Sequence, residues 1–210
     1  MTVTFVHCTP DAEHLIVDMA RVSNPDNQGN YETGPKLLRY LIKHKHWSPF
    51  EMASLCVKID TERDISAQIL RHRSFSFQEY STRYAEANYP GNFRLRTQDV
   101  KNRQNSFDNL NAKIEEDHSR SNQYTLEIIY NRYQQMLDAG IAKETARRIL
   151  PLCSPTTLYM HGTIRSWIHY LEIRCLIETQ LEHRLIANQC KEIFTEKFPV
   201  IAQAIFTSEQ

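Results

Sequence analysis

The chain has 210 residues, 41% of them hydrophobic, and its 25 basic and 25 acidic side chains cancel to a formal net charge of zero. That apolar content suits a folded chain with a substantial core and excludes a disordered one, and the charge balance argues against a protein that coats nucleic acid or an anionic membrane. Five scattered cysteines form no Cys-x-x-Cys pair, so they suggest neither a zinc site nor a disulfide framework.

Thr2 to Cys8 sets Val3, Phe5 and His7 against Thr4, Val6 and Cys8 and, rich in β-formers, predicts a first strand. Thr9-Pro10 predicts a capped helix start, with the helix running to about Val22 and a loop over Ser23 to Gly29. Thr33-Gly34-Pro35 opens a second helix with an apolar stripe of Leu37, Leu38, Leu41 and Ile42. His46 to Glu51 reads as a turn around Ser48-Pro49, and Met52 to Asp60 as a half-buried strand. Glu62 to about His72 reads as a helix, which puts Gln68, Arg71 and His72 on one side. Ser74 to Tyr84 is a loop or a short strand.

Ala85 to about Leu110 is polar and turn-rich, a mobile lid or a surface excursion. Asn111 to Ala139 carries helical periodicity with Ile128, Tyr133 and Met136 as core candidates, and Gly140 ends it. Ala142 to Leu150 is a short helix stopped by Pro151. Ser154 to Gly162 reads as a strand, Thr163 to Ile177 and Glu178 to Phe198 as helices, with a helical tail after Pro199. The expected fold is α/β in composition, α+β in arrangement, with a mainly antiparallel sheet packed by helices in one domain over residues 1–210. No apolar run approaches the roughly 20 residues of a membrane helix, and no basic region with an apolar block marks a secretory signal. A cytoplasmic location with reduced thiols is the expectation.

The stretch from Gln68 to Tyr84 gathers three arginines, a histidine, one carboxylate, four Ser/Thr hydroxyls and two glutamine amides. Guanidinium forks match phosphate and carboxylate oxygens bidentately, so this set suits an anionic, hydrogen-bonding ligand such as a nucleotide. No Gly-x-Gly-x-x-Gly run exists, so phosphates must be held by side chains.

Arg71-His72-Arg73, seven residues, then Ser81 with Arg83-Tyr84 resembles the signature of the flavin-dependent thymidylate synthases. Ala20-Arg21-Val22-Ser23, His46-Trp47-Ser48-Pro49-Phe50-Glu51, Ala146-Arg147-Arg148-Ile149-Leu150-Pro151, and Arg165-Ser166-Trp167 through Leu171-Glu172-Ile173-Arg174 resemble four further blocks of that family, in the expected order. The resemblance implies methylation of dUMP at C5, with carbon from 5,10-methylenetetrahydrofolate, hydride from reduced FAD, and NADPH as reductant. It implies that Gln68, Ile69, Leu70, Arg71, Glu79, Tyr80, Ser81, Thr82, Arg83, Arg147 and Arg174 hold dUMP. It implies His46, Ser48, Arg71, His72, Arg73, Glu79, Thr163, Arg165 and His169 as the FAD site, no metal, and a homotetramer. Arg174 is the catalytic candidate, because a guanidinium beside the pyrimidine stabilises a developing anion. Gln78 stands where the family usually has asparagine, Thr163 where asparagine is common, and residues 85–110 have no clear family match.

Two other readings remain open on sequence grounds. Interleaved basic and aromatic residues in Arg71 to Tyr84 suit a single-strand nucleic-acid module, against which zero net charge weighs. A metal-dependent nucleotide hydrolase built on Glu79 lacks a ligand set of metal spacing.

Overall fold

Alternating side chains build the sheet, and segments with a repeat of three to four residues build the helices around it. The computed structural model describes residues 1–206. Strand β1 (Thr2–Cys8) is followed by helices α1 (Ala12–Ala20) and α2 (Gly34–Lys43), strand β2 (Ser54–Glu62), helix α3 (Arg63–Ile69) and strand β3 (Phe75–Glu79). A small hairpin of β4 (Thr97–Gln98) and β5 (Ser106–Phe107) precedes the long helix α4 (Ala112–Asp138) and the short α5 (Lys143–Ala146). Strand β6 (Pro155–Thr163) runs into α6 (Ile164–Arg174), then α7 (Leu181–Lys197) and α8 (Pro199–Phe206).

The main sheet has the order β1-β2-β6-β3, and each neighbouring pair is antiparallel. Register places Phe5, Val57, Met160 and Phe77 in one row across all four strands. Val57, Met160 and Phe77, with Leu55, Ile59 and Leu158, form the face that packs against Ile16, Ile65, Ile69, Trp167, Tyr170, Ile186 and Phe194 from the helices, while Phe5 at the sheet edge stays exposed. Most of these side chains are fully buried, and burial of each stabilises the fold by about 1.5–3 kcal/mol. The fold is α+β, as the strand and helix patterns predict.

Four local expectations are corrected. Thr9 does not cap α1: its hydroxyl accepts from the Ser54 amide at 3.0 Å, tying β1 to β2, and the helix starts only after Asp11 in a left-handed conformation. Arg21, just past α1, is buried and spent structurally, donating to the Asn27 and Asn30 carbonyls and to the Thr33 hydroxyl. Helix α3 stops at Ile69, and Arg71 and His72 follow in a tight turn whose amides bond to the Gln68 and Ile69 carbonyls. Ile128 is half exposed and not core. The packing residues of α4 are Leu126 and Tyr133, seven apart, and Ile128 lies about 200° around the helix from Leu126.

The 85–110 excursion is a looped hairpin with two anchors. The Ala87 amide donates to the Tyr133 hydroxyl at 3.0 Å, within a second small core of Ala87, Tyr133 and Ala146. Arg96 forms a bidentate pair with Glu182 on α7, at 2.6 and 2.8 Å.

Candidate functional site

Strand β3 and helix α6 both rest on β6, and this brings the signature stretch against the end of α6. Gly162 on β6 faces Phe75 across the ladder, and its missing side chain lets the Phe75 ring lie against the backbone. Phe75 then meets Trp167 edge-on at 5.0 Å between centroids, and the turn before it is held by a 3.2 Å bond from the Ser166 hydroxyl to the Ser74 carbonyl. Thr163 caps α6 by accepting from the Ser166 amide, so the strand passes directly into the helix.

Arg174 is the last residue of α6, and its Nε donates to His72 Nε2 at 2.9 Å. His72 also packs edge-on against Tyr170 at 4.9 Å. Burial, and then the nearby Arg174 charge, pull the His72 pKa down to about 4, so the ring is neutral and its Nε2 is an acceptor. Its proton therefore sits on Nδ1. Arg71 and Arg73, on either side, are exposed and make no ion pair among the described residues.

Glu79 ends β3 on the core-facing side of the sheet. Its Oε1 accepts from Ser66 at 2.7 Å and from Thr156 at 3.1 Å. The chain then turns over Ser81 to Ala85, with the Ser81 carbonyl accepting from the Tyr84 and Ala85 amides. Arg147 reaches this turn and donates to the Thr82 hydroxyl at 3.2 Å, while Arg148 is exposed. Tyr80 bonds through its hydroxyl to the Glu86 carbonyl, Arg83 pairs with Glu144 at the surface, and Ser81 is exposed. Leu70 is half buried. Ile69 is fully buried, so what it offers a ligand is backbone.

Gln68 is held from two sides. Its Nε2 donates to Gln180 Oε1 at 2.7 Å, and its Oε1 lies 3.4 Å from His183 Nδ1. His183 is wholly buried, and burial with the Arg174 charge lowers its pKa to about 3. Its other nitrogen lies 3.2 Å from the Tyr170 hydroxyl, whose own pKa burial pushes well up.

The second group of predicted residues lies around a cleft of about 590 Å³ lined by Lys45, Trp47, Glu51, Ser74, Arg165, Ser166, Ile168, His169 and Glu172. Glu51 accepts from Arg165 and from the Thr163 hydroxyl, both at 2.8 Å. His169 is exposed, one helical turn beyond Arg165. His46 packs beside Tyr40 and His44 instead, and neither it nor Ser48 bonds to Arg71, His72 or Arg73.

Sequence reasoning therefore missed Ser66, Thr156, Tyr170, Gln180, Glu182 and His183 as the residues that brace the predicted site residues from behind, and left Glu51 unassigned within its own motif. One signal was available. His183 falls on the apolar stripe of α7 with Ile186, Ala187, Cys190 and Phe194, where a polar side chain needs a buried partner. Burial raises the thiols of Cys56, Cys153, Cys175 and Cys190, which works against their ionisation.

This donor set suits FAD. Exposed guanidiniums at Arg71 and Arg73, which make no ion pair among the described residues, and a cleft that carries Ser74, Arg165 and His169 supply donors of the kind a planar cofactor with a pyrophosphate needs. Comparison with known proteins points the same way. The model of the family described as "Thymidylate synthase complementing protein" matches residues 4–200. A protein of Paramecium bursaria Chlorella virus 1 named "Probable flavin-dependent thymidylate synthase" is 52% identical, over 92% of this chain and 90% of its own. The flavin-dependent thymidylate synthase of Synechocystis sp. is 47% identical over 92% of this chain and 89% of its own. The crystal structure of the UMP/dUMP methylase PolB from Streptomyces cacaoi bound with 5-Br dUMP superposes with a TM-score of 0.84 at 28% identity, covering 99% of this chain and 94% of that one. The chain belongs to the flavin-dependent thymidylate synthase family.

Proposed function

We propose that this chain methylates dUMP to dTMP reductively, with 5,10-methylenetetrahydrofolate as carbon donor, FAD as the flavin and NADPH as its reductant. The observation that carries the reading is the 2.9 Å bond from Arg174 to His72, which joins the catalytic candidate to the signature. The relatives' names and the 5-Br dUMP held by PolB support it.

In this reading Arg174 spends its Nε on His72 and keeps its terminal amino groups for the pyrimidine. A neutral His72 accepts that bond without adding a competing cation, so the guanidinium is aimed before substrate arrives. Negative charge held on O2 and N3, the electron density that makes C5 a nucleophile, meets a fixed positive charge in a half-buried site, an arrangement that acts by electrostatic preorganisation. Gln68, Arg71, the Glu79–Arg83 turn and Arg147 hold the nucleotide. Arg147 is pre-set by its bond to Thr82. Glu51 holds Arg165 and Thr163 for the flavin, His169 lines the same cleft, and Arg73 is given to the flavin by the signature alone. Bound in the cleft, FAD supplies the hydride, which no side chain can.

We extend the proposal to one domain over residues 1–210, a homotetramer, small-molecule partners dUMP and folate with no nucleic acid or membrane partner, and a cytoplasmic location. Among the described residues no helix is long and apolar enough to cross a membrane. Release of the C5 hydrogen of dUMP tests the reaction. Release that requires FAD, NADPH and methylenetetrahydrofolate supports it; full turnover with the flavin stripped away would overturn it. Light scattering tests the assembly, with four times the chain mass expected.

A further inference from the structure

One hydrogen-bonded line runs from the 85–110 excursion to the buried end of α6. Arg96 Nη1 and Nη2 donate to the two oxygens of Glu182, at 2.6 and 2.8 Å. Gln180 Nε2 donates to Glu182 Oε2 at 3.0 Å. Gln68 Nε2 donates to Gln180 Oε1 at 2.7 Å, and Gln68 Oε1 faces His183 Nδ1 at 3.4 Å. His183 Nε2 lies 3.2 Å from the Tyr170 hydroxyl. The Arg96 and Glu182 side chains are only 12% and 17% exposed, and His183 and Tyr170 are wholly buried.

The line has a direction, and one residue sets it. A side-chain amide or a neutral imidazole can donate at one end and accept at the other, in either sense. An ionised carboxylate only accepts. Because Glu182 accepts, Gln180 must turn its amino group toward it and its oxygen toward Gln68. Gln68 must then turn its amino group toward Gln180 and its oxygen toward His183. His183 must carry its proton on Nδ1 and accept from Tyr170 on Nε2. Reverse any one member and a part-buried or buried pair meets donor to donor or acceptor to acceptor.

We propose that Glu182, held by Arg96, is a positioning residue for the nucleotide site: through Gln180 it sets which end of the Gln68 amide a bound nucleotide meets, and it fixes the tautomer of His183. This rests on the assignment of Gln68 to nucleotide binding made above. The same bonds couple the site to the seating of the 85–110 excursion, which contributes Arg96.

Two variants test the proposal in the full-length flavoprotein. Glu182→Gln keeps the shape but accepts or donates with equal ease, so the line loses its direction. Gln180→Met cuts the line and leaves the Arg96–Glu182 pair intact. In the wild type, ¹⁵N NMR of ring-labelled histidine should show His183 as a single tautomer protonated on Nδ1. Each variant should populate the other tautomer and bind dUMP about fivefold more weakly, with kcat at saturating dUMP within about twofold, as loss of one neutral hydrogen bond predicts. Rescue by Glu182→Asp toward a single tautomer supports the carboxylate's role over a packing role. A single Nδ1-protonated tautomer in both variants overturns the proposal. Mixed tautomers with unchanged dUMP affinity overturn its nucleotide half by removing Gln68 from the binding site, whatever the chemistry test returns. If Glu182→Gln fails to fold, Gln180→Met decides alone.

Discussion

Gly162 and Phe75 are partners across β6 and β3, and the Phe75 ring occupies the space that a Cβ on Gly162 would need, 2.5 Å from its nearest ring carbon. No real Cβ contact is that short. A methyl group there must push the ring, which is braced by Trp167 and Tyr170 at 5.0 and 5.8 Å. The ring also packs edge-on to His72, at 6.4 Å. Gly162→Ala should therefore lower stability by about 1–3 kcal/mol, as overpacking does. It should also reduce turnover with the fold retained, because His72 moves with Phe75. Urea titration and the hydrogen-release assay on one preparation check both halves. Gly162→Ala with wild-type stability contradicts the close approach.

Arg174 carries the next prediction. If its guanidinium stabilises charge on the pyrimidine, Arg174→Ala should cost about 10²–10³ in kcat, the usual effect of removing one preorganised donor. Arg174→Lys keeps a charge but loses the planar fork that bonds His72 and the ring together, so it should recover only a small part. Flavin absorbance and the melting midpoint should stay near wild type in both. Near-normal turnover of Arg174→Ala would remove the residue from the chemistry.

These two cases show what the chain's pattern could and could not reveal. The meeting of Arg174 with the Arg71–Arg73 signature was legible because it closes a block that resembles the family's, and the strands were legible because side-chain alternation is local. The end of α3 was not legible. Periodicity carries on to His72, but the seating of Phe75 on Gly162, 87 residues later, pulls the chain out of the helix. Ile128 failed for the converse reason: α4 is mostly solvated, and an apolar residue on such a helix need not face a core. Gln180 and Glu182 read as ordinary polar residues at a helix start. Only the fold shows that Gln68 and Arg96 converge on them.

Glu79 gives a stability prediction independent of catalysis. Its Oε1 accepts from Ser66, wholly buried, and from Thr156, which is 5% exposed. Glu79→Ala leaves both hydroxyls without that acceptor and should cost about 1–3 kcal/mol. Glu79→Gln can still present an oxygen to both and should cost less than half as much. Chemical denaturation of the two variants orders them, and equal losses would show that the carboxylate's charge, rather than these hydroxyl bonds, is what the fold uses.

Half-buried His72 and buried His183 make the protein acid-sensitive in a defined window. His72 and His183 sit near 4 and 3 in the folded chain, both displaced first by burial and then by the Arg174 charge, against 6.5 as the ordinary value. As pH falls from 6.5 toward 4, unfolded chains take up protons on both rings that folded chains refuse. The unfolded state then binds more protons, so stability rises with pH across this window and is lost on acidification. The full contribution is present above pH 6.5. Carboxylates act in the same range with opposite sign where burial raises them, as at Glu13, Glu62 and Asp64. A difference measurement separates the two. His183→Gln cannot titrate, so its melting midpoint should fall less steeply than the wild type's between pH 6.5 and 4. Parallel curves for the two proteins would mean that His183 takes up its proton without unfolding the chain.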